Sequence, residues 1–251
     1  MCLVLFLCSA PMASILSLQS VSKSFGALKV IDDISVELET GTTLGILGPN
    51  GAGKTTLFNL IGGDVRPDRG RVLLDGADIG AAPAHQRCRR GIGRSYQIPH
   101  PFAGMTVLEN LLVGASYGGA SSEADAYPAC VAILEKTGLR DKANHLSGSL
   151  PLLERKRLEL ARALATKPKL LLLDEIAGGL SEHEAKALVA LIREIKASGI
   201  TIIWIEHVVH ALLAVADRLL VINFGSKLAE GAPREVMNDR EVKRVYMGIE
   251  V

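Results

Sequence analysis

A run of small and polar residues, 48–56, has the residue types and the spacing of a phosphate-binding loop. It reads Gly-Pro-Asn-Gly-Ala-Gly-Lys-Thr-Thr, a match to G-x-x-x-x-G-K-[ST], and directly follows the apolar run Thr43–Leu47. Glycines let successive backbone N–H groups turn toward phosphate oxygens, and the helix that follows points its positive end at them. The sequence therefore predicts a nucleoside triphosphate site formed by Gly48, Pro49, Asn50, Gly51, Ala52, Gly53, Lys54, Thr55 and Thr56.

Four side chains have the chemistry that a bound triphosphate and Mg²⁺ require. Lys54 is predicted to neutralise the β- and γ-phosphates, and Thr55 is predicted to ligate Mg²⁺. Asp174 and Glu175 end an apolar run that starts at Leu170. Adjacent residues at a strand end can have different roles. We therefore expect Asp174 to hold Mg²⁺ through a water molecule bound to the ion. We expect Glu175 to polarise the attacking water as a general base.

Three further residues lie where they could contact a nucleotide. His207 comes directly after the run 201–206, and its imidazole could reach a γ-phosphate oxygen. Gln97 follows the short run 92–96, and its amide could reach Mg²⁺ or the attacking water. Phe25 could stack its ring on adenine. These positions predict a catalytic role for Gln97 and His207, and a binding role for Phe25.

The elements that position these residues alternate between strands and helices. Apolar runs predict strands at 15–21, 34–38, 43–47, 71–74, 92–96, 170–173 and 200–205. Apolar residues at three- and four-residue spacing predict helices from the phosphate loop to about Gly62, at 107–113 with Thr106 as cap, and at 126–137, 152–165 and 181–197. Continuous apolar strands joined by crossover helices predict an α/β fold with a parallel core sheet.

The composition fits one domain, 15–247, with an inserted helical block. The chain has 251 residues, of which 48% are hydrophobic and 22% charged, so it can bury a substantial core. A net charge of +1 gives no electrostatic argument for a nucleic-acid partner. The basic clusters 87–90 and 155–157 are interpreted as solvated helix faces. Four cysteines without C-x-x-C spacing are interpreted as reduced thiols: Cys2, Cys8, Cys88 and Cys130.

The segment 1–14 is interpreted as a leader, and 248–251 as a tail. Residues 1–8 resemble the apolar part of a secretory signal but lack a positive segment before it, and Met12 is a candidate start. No other stretch approaches the roughly 18 to 20 apolar residues that a membrane span needs. A mean hydropathy of +0.27 with 4% aromatic residues suggests that part of the surface is an interface.

Taken in order along residues 15–247, these motifs resemble the ATP-binding subunit of an ABC transporter. In that family a phosphate loop, a glutamine loop, a signature helix, an acidic strand, a D-loop and a switch histidine follow one another, and 178–181 matches the D-loop here. The resemblance implies a P-loop NTPase core with an antiparallel β subdomain and a helical subdomain at about 98–165. It also implies Mg²⁺-dependent ATP hydrolysis at the cytoplasmic face of the cell membrane.

The implied partners are transmembrane permease subunits, a second ABC ATPase and, indirectly, a substrate-binding protein. The segments 48–61, 106–114 and 244–248 look most like those of branched-chain amino acid importers. Transport of another substrate, such as urea, polar amino acids or lipopolysaccharide, stays open, as does a soluble ABC-type ATPase that acts on ribosomes or DNA. That soluble class usually carries two motor domains, a coiled coil or a basic extension, which the sequence lacks.

The signature motif departs from the family pattern Leu-Ser-Gly-Gly-Gln. It has two candidate positions, 146–150 and 150–154. Counting back from Asp174 through 155–164, which matches the family without a gap, selects the second: Leu150, Pro151, Leu152, Leu153 and Glu154.

This degenerate signature should still begin a helix. Pro151 suits the first turn, so the helix N-terminus can face a phosphate. The serine hydroxyl and the two glycines are lost, and Glu154 adds a negative charge that does not favour a nearby phosphate. We therefore expect a heterodimer in which a partner ATPase supplies one intact signature, rather than a dimer of this chain with itself.

Overall fold

The structure is a computed structural model that describes residues 14–119 and 122–247. The leader, apart from Ser14, and the tail lie outside the described residues. The strands are β1 (Ser14–Phe25), β2 (Leu28–Glu39), β3 (Thr43–Leu47), β4 (Arg69–Leu74), β5 (Ala77–Asp78), β6 (Ile92–Ser95), β7 (Leu170–Asp174), β8 (Thr201–Ile205), β9 (Arg218–Asn223) and β10 (Ser226–Gly231). The helices are α1 (Lys54–Gly62), α2 (Ala84–Arg89), α3 (Val107–Tyr117), α4 (Glu123–Lys136), α5 (Leu152–Ala165), α6 (Glu182–Ala197), α7 (Val209–Leu213), α8 (Pro233–Asn238) and α9 (Arg240–Met247).

Most of the predicted site residues lie at or just after the ends of strands in the larger sheet. Its strand order is β10-β9-β3-β8-β7-β6. The strands from β9 to β6 run parallel, and β10 pairs antiparallel with β9. The predicted parallel core is therefore confirmed, with an antiparallel strand at one edge. Because parallel strands end at the same edge of a sheet, the loops that follow β3, β7 and β8 meet there.

Two hydrophobic cores cover the two faces of this sheet. The residues of β3, β7 and β8 are all buried, which explains their continuous apolar sequences. One face, with Leu172 and Ile203, shares a core with α1 and a smaller antiparallel sheet of order β2-β1-β4-β5. The other face, with Leu171 and Trp204, packs against α5, α6 and α7. The phosphate-loop helix is therefore enclosed between two sheets.

The helices α3, α4 and α5 form a block with its own core, which includes Leu111, Leu134 and Leu158. The cap predicted for α3 is confirmed, since Thr106 and Glu109 form a reciprocal capping box. The helix continues to Tyr117, four residues beyond the predicted end. No helix in the described part of the chain is long and apolar enough to cross a membrane.

Arg87 corrects one interpretation made from the sequence, because it does not lie on a solvated face. Its side chain is fully buried and donates to the carbonyls of Leu60 at 2.5 Å, Ile61 at 2.9 Å, Ala82 at 2.8 Å and Gly80 at 3.1 Å. The carbonyls in the last turn of α1 have no partner within the helix, and a cation there is favourable. Burial lowers the pKa of Arg87 to about 10, so the guanidinium stays charged at neutral pH.

Replacing Arg87 with methionine should lower the free energy of unfolding by about 3 kcal/mol, because buried carbonyls lose their donor. Urea unfolding followed by circular dichroism measures this change. Arg90→Met is the matched control, since Arg90 is exposed in the same segment and should change the value by less than about 0.5 kcal/mol. Equal losses in the two variants would contradict a structural role for Arg87.

Candidate functional site

The loop of residues 48–56 joins β3 to α1 through tightly packed glycines. Gly53, directly before α1, has a φ of 104°, and a Cβ added there would lie 2.7 Å from the Val30 carbonyl oxygen. A Cβ at Gly48 would collide with the Ile222 carbonyl oxygen. No side chain caps α1, so the N–H groups of its first turn are available to phosphate oxygens. The loop therefore has the shape and the donors of a phosphate cradle.

The Lys54 ammonium lies inside this loop. Its Nζ donates to the carbonyl oxygens of Gly48 at 2.7 Å and Pro49 at 3.0 Å, and the residue is 6% exposed. Burial lowers the pKa of Lys54, and the negative charges of Glu175 and Asp174 partly oppose that shift. The Lys54 ammonium therefore lies where it could neutralise the phosphates of a bound nucleotide.

A cavity of about 200 Å³ opens beside the loop. It is lined by residues 50–56, by Val30 and by Glu175, so the phosphate loop and the predicted general base share one space. Phe25 does not line it. Its ring is 50% exposed at the end of β1, with the Lys23 ammonium 5.5 Å from the ring centre. Stacking of Phe25 on adenine stays a prediction.

Asp174 ends β7 and is held by a partly buried arginine. Arg94 Nη2 donates to Asp174 Oδ2 at 3.1 Å, and Nη1 donates to Asn59 Oδ1 and to Asp64 Oδ2, both at 2.8 Å. The guanidinium also stacks 4.7 Å from the ring centre of Tyr96. Burial raises the pKa of the Asp174 carboxyl, and the charge of Arg94 opposes this. The arginine therefore both orients the carboxylate and favours its charged form.

The predicted Mg²⁺ ligands fit the preference of this ion for oxygen. Thr55 offers a hydroxyl and Asp174 a carboxylate. The Gln97 amide nitrogen donates a hydrogen bond to Glu175, so the amide oxygen of Gln97 is the atom that would ligate Mg²⁺. Within 14–119 and 122–247, no group of three or more His, Cys, Asp or Glu could hold a metal ion. This donor set suits Mg²⁺ bound through a few side chains, water and phosphate.

Gln97, Glu175 and His207, predicted from three separate strand ends, meet at one point. Glu175 Oε2 accepts a hydrogen bond from Gln97 Nε2 at 2.6 Å, and His207 Nε2 lies 2.8 Å from Glu175 Oε1. The side chains of Glu175 and His207 are 17% and 40% exposed, and Glu175 lines the cavity beside the phosphate loop. A carboxylate in this position can take a proton from water, and the imidazole can donate to a phosphate oxygen.

The degenerate signature lies at the start of α5. The helix begins at Leu152, as predicted, but Pro151 is its extended N-cap residue and does not lie in the first turn; no side chain caps the helix. The N–H groups of its first turn are therefore available to an anion. The Lys142 ammonium lies 3.6 Å from the Glu154 carboxylate and offsets part of its charge.

The other signature candidate, 146–150, contains a short 3-10 turn, Ser147–Ser149. Ser147 is fully buried. Its hydroxyl donates to the Phe102 carbonyl oxygen at 2.8 Å and accepts from Asn110 Nδ2 at 3.2 Å. This hydroxyl is used inside the helical block and does not face a nucleotide on another subunit.

Sequence reasoning missed three charged residues near the site: Arg94, which is partly buried, and Lys156 and Glu206, which are buried. The interpretation of 155–157 as a solvated face is wrong for Lys156, which is 5% exposed and whose Nζ lies 3.4 Å from the Glu175 carbonyl oxygen. Glu206 is 1% exposed. Glu206 stands at the end of a predicted strand, which is a usable signal, whereas Arg94 lies within a predicted strand and Lys156 lies in an ordinary basic run.

Comparisons with known proteins define the class. The profile of the family described as "ABC transporter" matches residues 31–178. A second profile, "Branched-chain amino acid ATP-binding cassette transporter", matches residues 226–251. The chain belongs to the ABC transporter family. It is an ATP-binding subunit, and its ATP hydrolysis is coupled to transport.

Relatives carry two kinds of name. The lipopolysaccharide export system ATP-binding protein LptB of Haemophilus influenzae is 36% identical, over 94% of this chain and 98% of the relative. The high-affinity branched-chain amino acid transport ATP-binding protein LivG of Escherichia coli K12 is also 36% identical, over 93% and 98%. BraF of Pseudomonas aeruginosa, with the same description as LivG, is 33% identical over 93% and 98%.

Solved structures agree with this class. An ATP-binding cassette of an ABC transporter, MJ1267 in its ADP conformation, superposes with a TM-score of 0.85 at 33% identity, over 94% of this chain and 99% of that one. A nucleotide-free ATP-binding cassette gives 0.84 at 34% identity, over 94% and 100%. The predicted ABC ATPase fold is therefore confirmed.

Proposed function

We propose that this chain is the ATP-hydrolysing subunit of a branched-chain amino acid importer, bound at the cytoplasmic face of the cell membrane. The observation that carries the choice of cargo is the match of residues 226–251 to the branched-chain amino acid family. Similarity to LivG and BraF over 93% of the chain supports it. A substrate-binding protein would deliver the amino acid to the permease and affect this subunit only indirectly.

In the proposed site, the phosphate loop and Lys54 hold the β- and γ-phosphates. Thr55, Asp174 and Gln97 would hold Mg²⁺. The bound ion would neutralise charge on the phosphate oxygens, since positioning and electrostatic stabilisation dominate phosphoryl transfer. Phe25 stacks on adenine.

Glu175 orients the attacking water and accepts its proton. His207 Nε2, which lies 2.8 Å from Glu175 Oε1, would exchange that partner for a γ-phosphate oxygen when a nucleotide fills the cavity. The exchange frees one carboxylate oxygen of Glu175 for water. Binding of the nucleotide thereby prepares the base.

A groove of about 300 Å³ next to Gln97 supports the proposed permease partner. Tyr96 lines it next to β6 of the larger sheet, and Phe102, Gly114 and Arg162 line it on the helical block. Tyr96 and Phe102 are 43% and 45% exposed. Exposed aromatic rings in a groove are typical of a protein interface.

The degenerate signature predicts low activity for the chain on its own. Purified alone, it should hydrolyse ATP more slowly than about 1 per second, because a homodimer would lack the signature serine and glycines at both sites. Restoring them with the triple substitution Pro151→Ser, Leu152→Gly and Leu153→Gly should raise the rate of the isolated chain. A steady-state phosphate-release assay measures both. A rate above about 1 per second without repair would argue against the heterodimer.

The cargo is tested by purifying the tagged chain from gently solubilised membranes of its own cell and identifying the proteins that accompany it. A polytopic permease and a second ATPase are expected, and uptake of labelled leucine should depend on Lys54. Similarity to LptB favours lipopolysaccharide export as a second candidate. Normal leucine uptake with defective lipopolysaccharide display in the Lys54→Ala strain would select that candidate.

A further inference from the structure

Glu206 is a buried carboxylate that fastens two loops of the site to each other. Its Oε1 accepts from the N–H of Ala177 at 2.7 Å. Its Oε2 accepts from the N–H of His207 at 3.0 Å and from the N–H of Val208 at 3.4 Å. The first donor lies in the loop after β7, which begins with Glu175, and the other two follow β8. One side chain therefore sets the relation between the two loops.

The Glu206 carboxylate is stabilised by hydrogen bonds and by a nearby positive charge, and not by water. Burial raises the pKa of the Glu206 carboxyl, while its backbone N–H donors and the charge of Lys156 oppose that rise. A buried carboxylate is costly unless its oxygens are hydrogen-bonded. Neither Glu206 nor Lys156 lines the cavity beside the phosphate loop. Direct contact with a nucleotide therefore does not explain the two charges.

Lys156 connects the signature helix to the same loops. It lies in the second turn of α5, and its Nζ donates to the Glu175 carbonyl oxygen at 3.4 Å. Burial lowers the pKa of Lys156, and the negative charges of Glu206 and Glu175 oppose this. The ammonium thus binds the main chain of the predicted general base, and its charge favours the charged form of Glu206.

The main chain at Glu175 needs such support. Its φ is 47°, a left-handed conformation that is unfavourable for a residue with a side chain. The Glu175 N–H donates to the Ile205 carbonyl oxygen at 2.9 Å, Lys156 binds its carbonyl, and Glu206 binds Ala177 two residues later. Together these contacts aim the Glu175 carboxylate at Gln97 and His207.

We propose that Glu206 and Lys156 are positioning residues for ATP hydrolysis, which act by holding the main chain of the Glu175 and His207 loops. The proposal rests on the assignment of Glu175 to hydrolysis under the proposed function. Positioning differs from a general structural role in what it affects. Loss of positioning lowers kcat and leaves nucleotide affinity unchanged, because the phosphate loop is untouched.

The test compares Glu206→Gln, Lys156→Met and Lys156→Arg in the full chain, purified with the subunits that accompany it. A neutral amide can accept on one side only, so Glu206→Gln should break part of the loop contact. Both Glu206→Gln and Lys156→Met should lower kcat at least about tenfold, with KM and the Kd for ATP within about twofold of the wild type. Lys156→Arg keeps the charge and should restore most of the rate.

Lys186→Met is the matched control, since the Lys186 side chain is 71% exposed and pairs with Glu182 on α6. Thermal unfolding shows which variants are folded at the assay temperature. If Glu206→Gln does not fold, the kcat of Lys156→Met alone tests the proposal. A kcat within about twofold of the wild type for Lys156→Met, or a parallel loss of ATP affinity, would overturn the positioning role.

Glu175→Gln in the same assay separates the two proposals. If this variant hydrolyses ATP at the wild-type rate, the assignment of Glu175 is wrong and the positioning role fails with it. If Glu175→Gln is inactive while Glu206→Gln and Lys156→Met stay active, the site assignment stands and only the positioning role is wrong.

Discussion

Replacing Lys54 with alanine should abolish ATP binding, with a loss of affinity of at least about 100-fold. The ammonium lies 2.7 Å from the Gly48 carbonyl oxygen and 3.0 Å from that of Pro49. It is thus held where it can form charge-assisted hydrogen bonds to two phosphates, which are among the strongest polar contacts in proteins. Equilibrium titration with a fluorescent ATP analogue measures the loss.

The same substitution should leave the free energy of unfolding nearly unchanged. Burial lowers the pKa of Lys54, so the folded protein bears a desolvation cost that alanine removes, and this gain offsets the loss of the two hydrogen bonds to Gly48 and Pro49. Lys169→Ala is the control for the lost charge, because Lys169 is 60% exposed and pairs with Asp75 away from the loop. ATP binding by Lys54→Ala at wild-type affinity would refute the assignment. Loss of binding together with unfolding would show that Lys54 is mainly structural.

Replacing Glu175 with glutamine should stop turnover while ATP binding persists. Glutamine retains the shape of the side chain and a hydrogen-bonding group toward Gln97 and His207, but it cannot accept a proton from water. General base catalysis contributes roughly 100- to 10,000-fold, and a loss of kcat in this range is expected. Single-turnover hydrolysis and equilibrium ATP binding, measured on one preparation, give the two quantities separately.

Glu182→Gln is the control for Glu175→Gln. Glu182 has a side chain that is 75% exposed and pairs with Lys186 at the surface, so its loss should alter neither quantity. An equal loss of binding and turnover in Glu175→Gln would contradict the base assignment, since it would indicate that the site had collapsed. Full turnover would assign the proton transfer to another group.

Much of the site could be predicted from the sequence because its signals are local. The phosphate loop needs glycines and a lysine at fixed spacing, and Asp174, Glu175 and His207 follow strands whose apolar sequences are continuous. Helix starts such as Thr106 are also encoded within a few residues. Each of these patterns depends on residues that are close together in the chain, so they can be identified from the sequence alone.

The positions of the buried charges could not be predicted in this way. Arg87 binds backbone carbonyls at the end of α1, and Glu206 binds the backbone N–H of Ala177 in another loop. Every residue has a backbone carbonyl, and every residue except proline has a backbone N–H. The sequence therefore does not identify which main-chain groups a buried charge will bind. A basic run on an amphipathic helix is ordinarily solvated, and only the packing of α5 against the site buries Lys156.

The sequence by itself determined that this protein has a phosphate cradle, an adjacent pair of acids and an α/β core, because each follows from residue spacing within one or two elements. Only the tertiary structure decided that Gln97 and His207 converge on Glu175, and that Ser147 is buried inside the helical block. Those outcomes depend on strand order and helix packing, which bring together residues that are far apart in the chain.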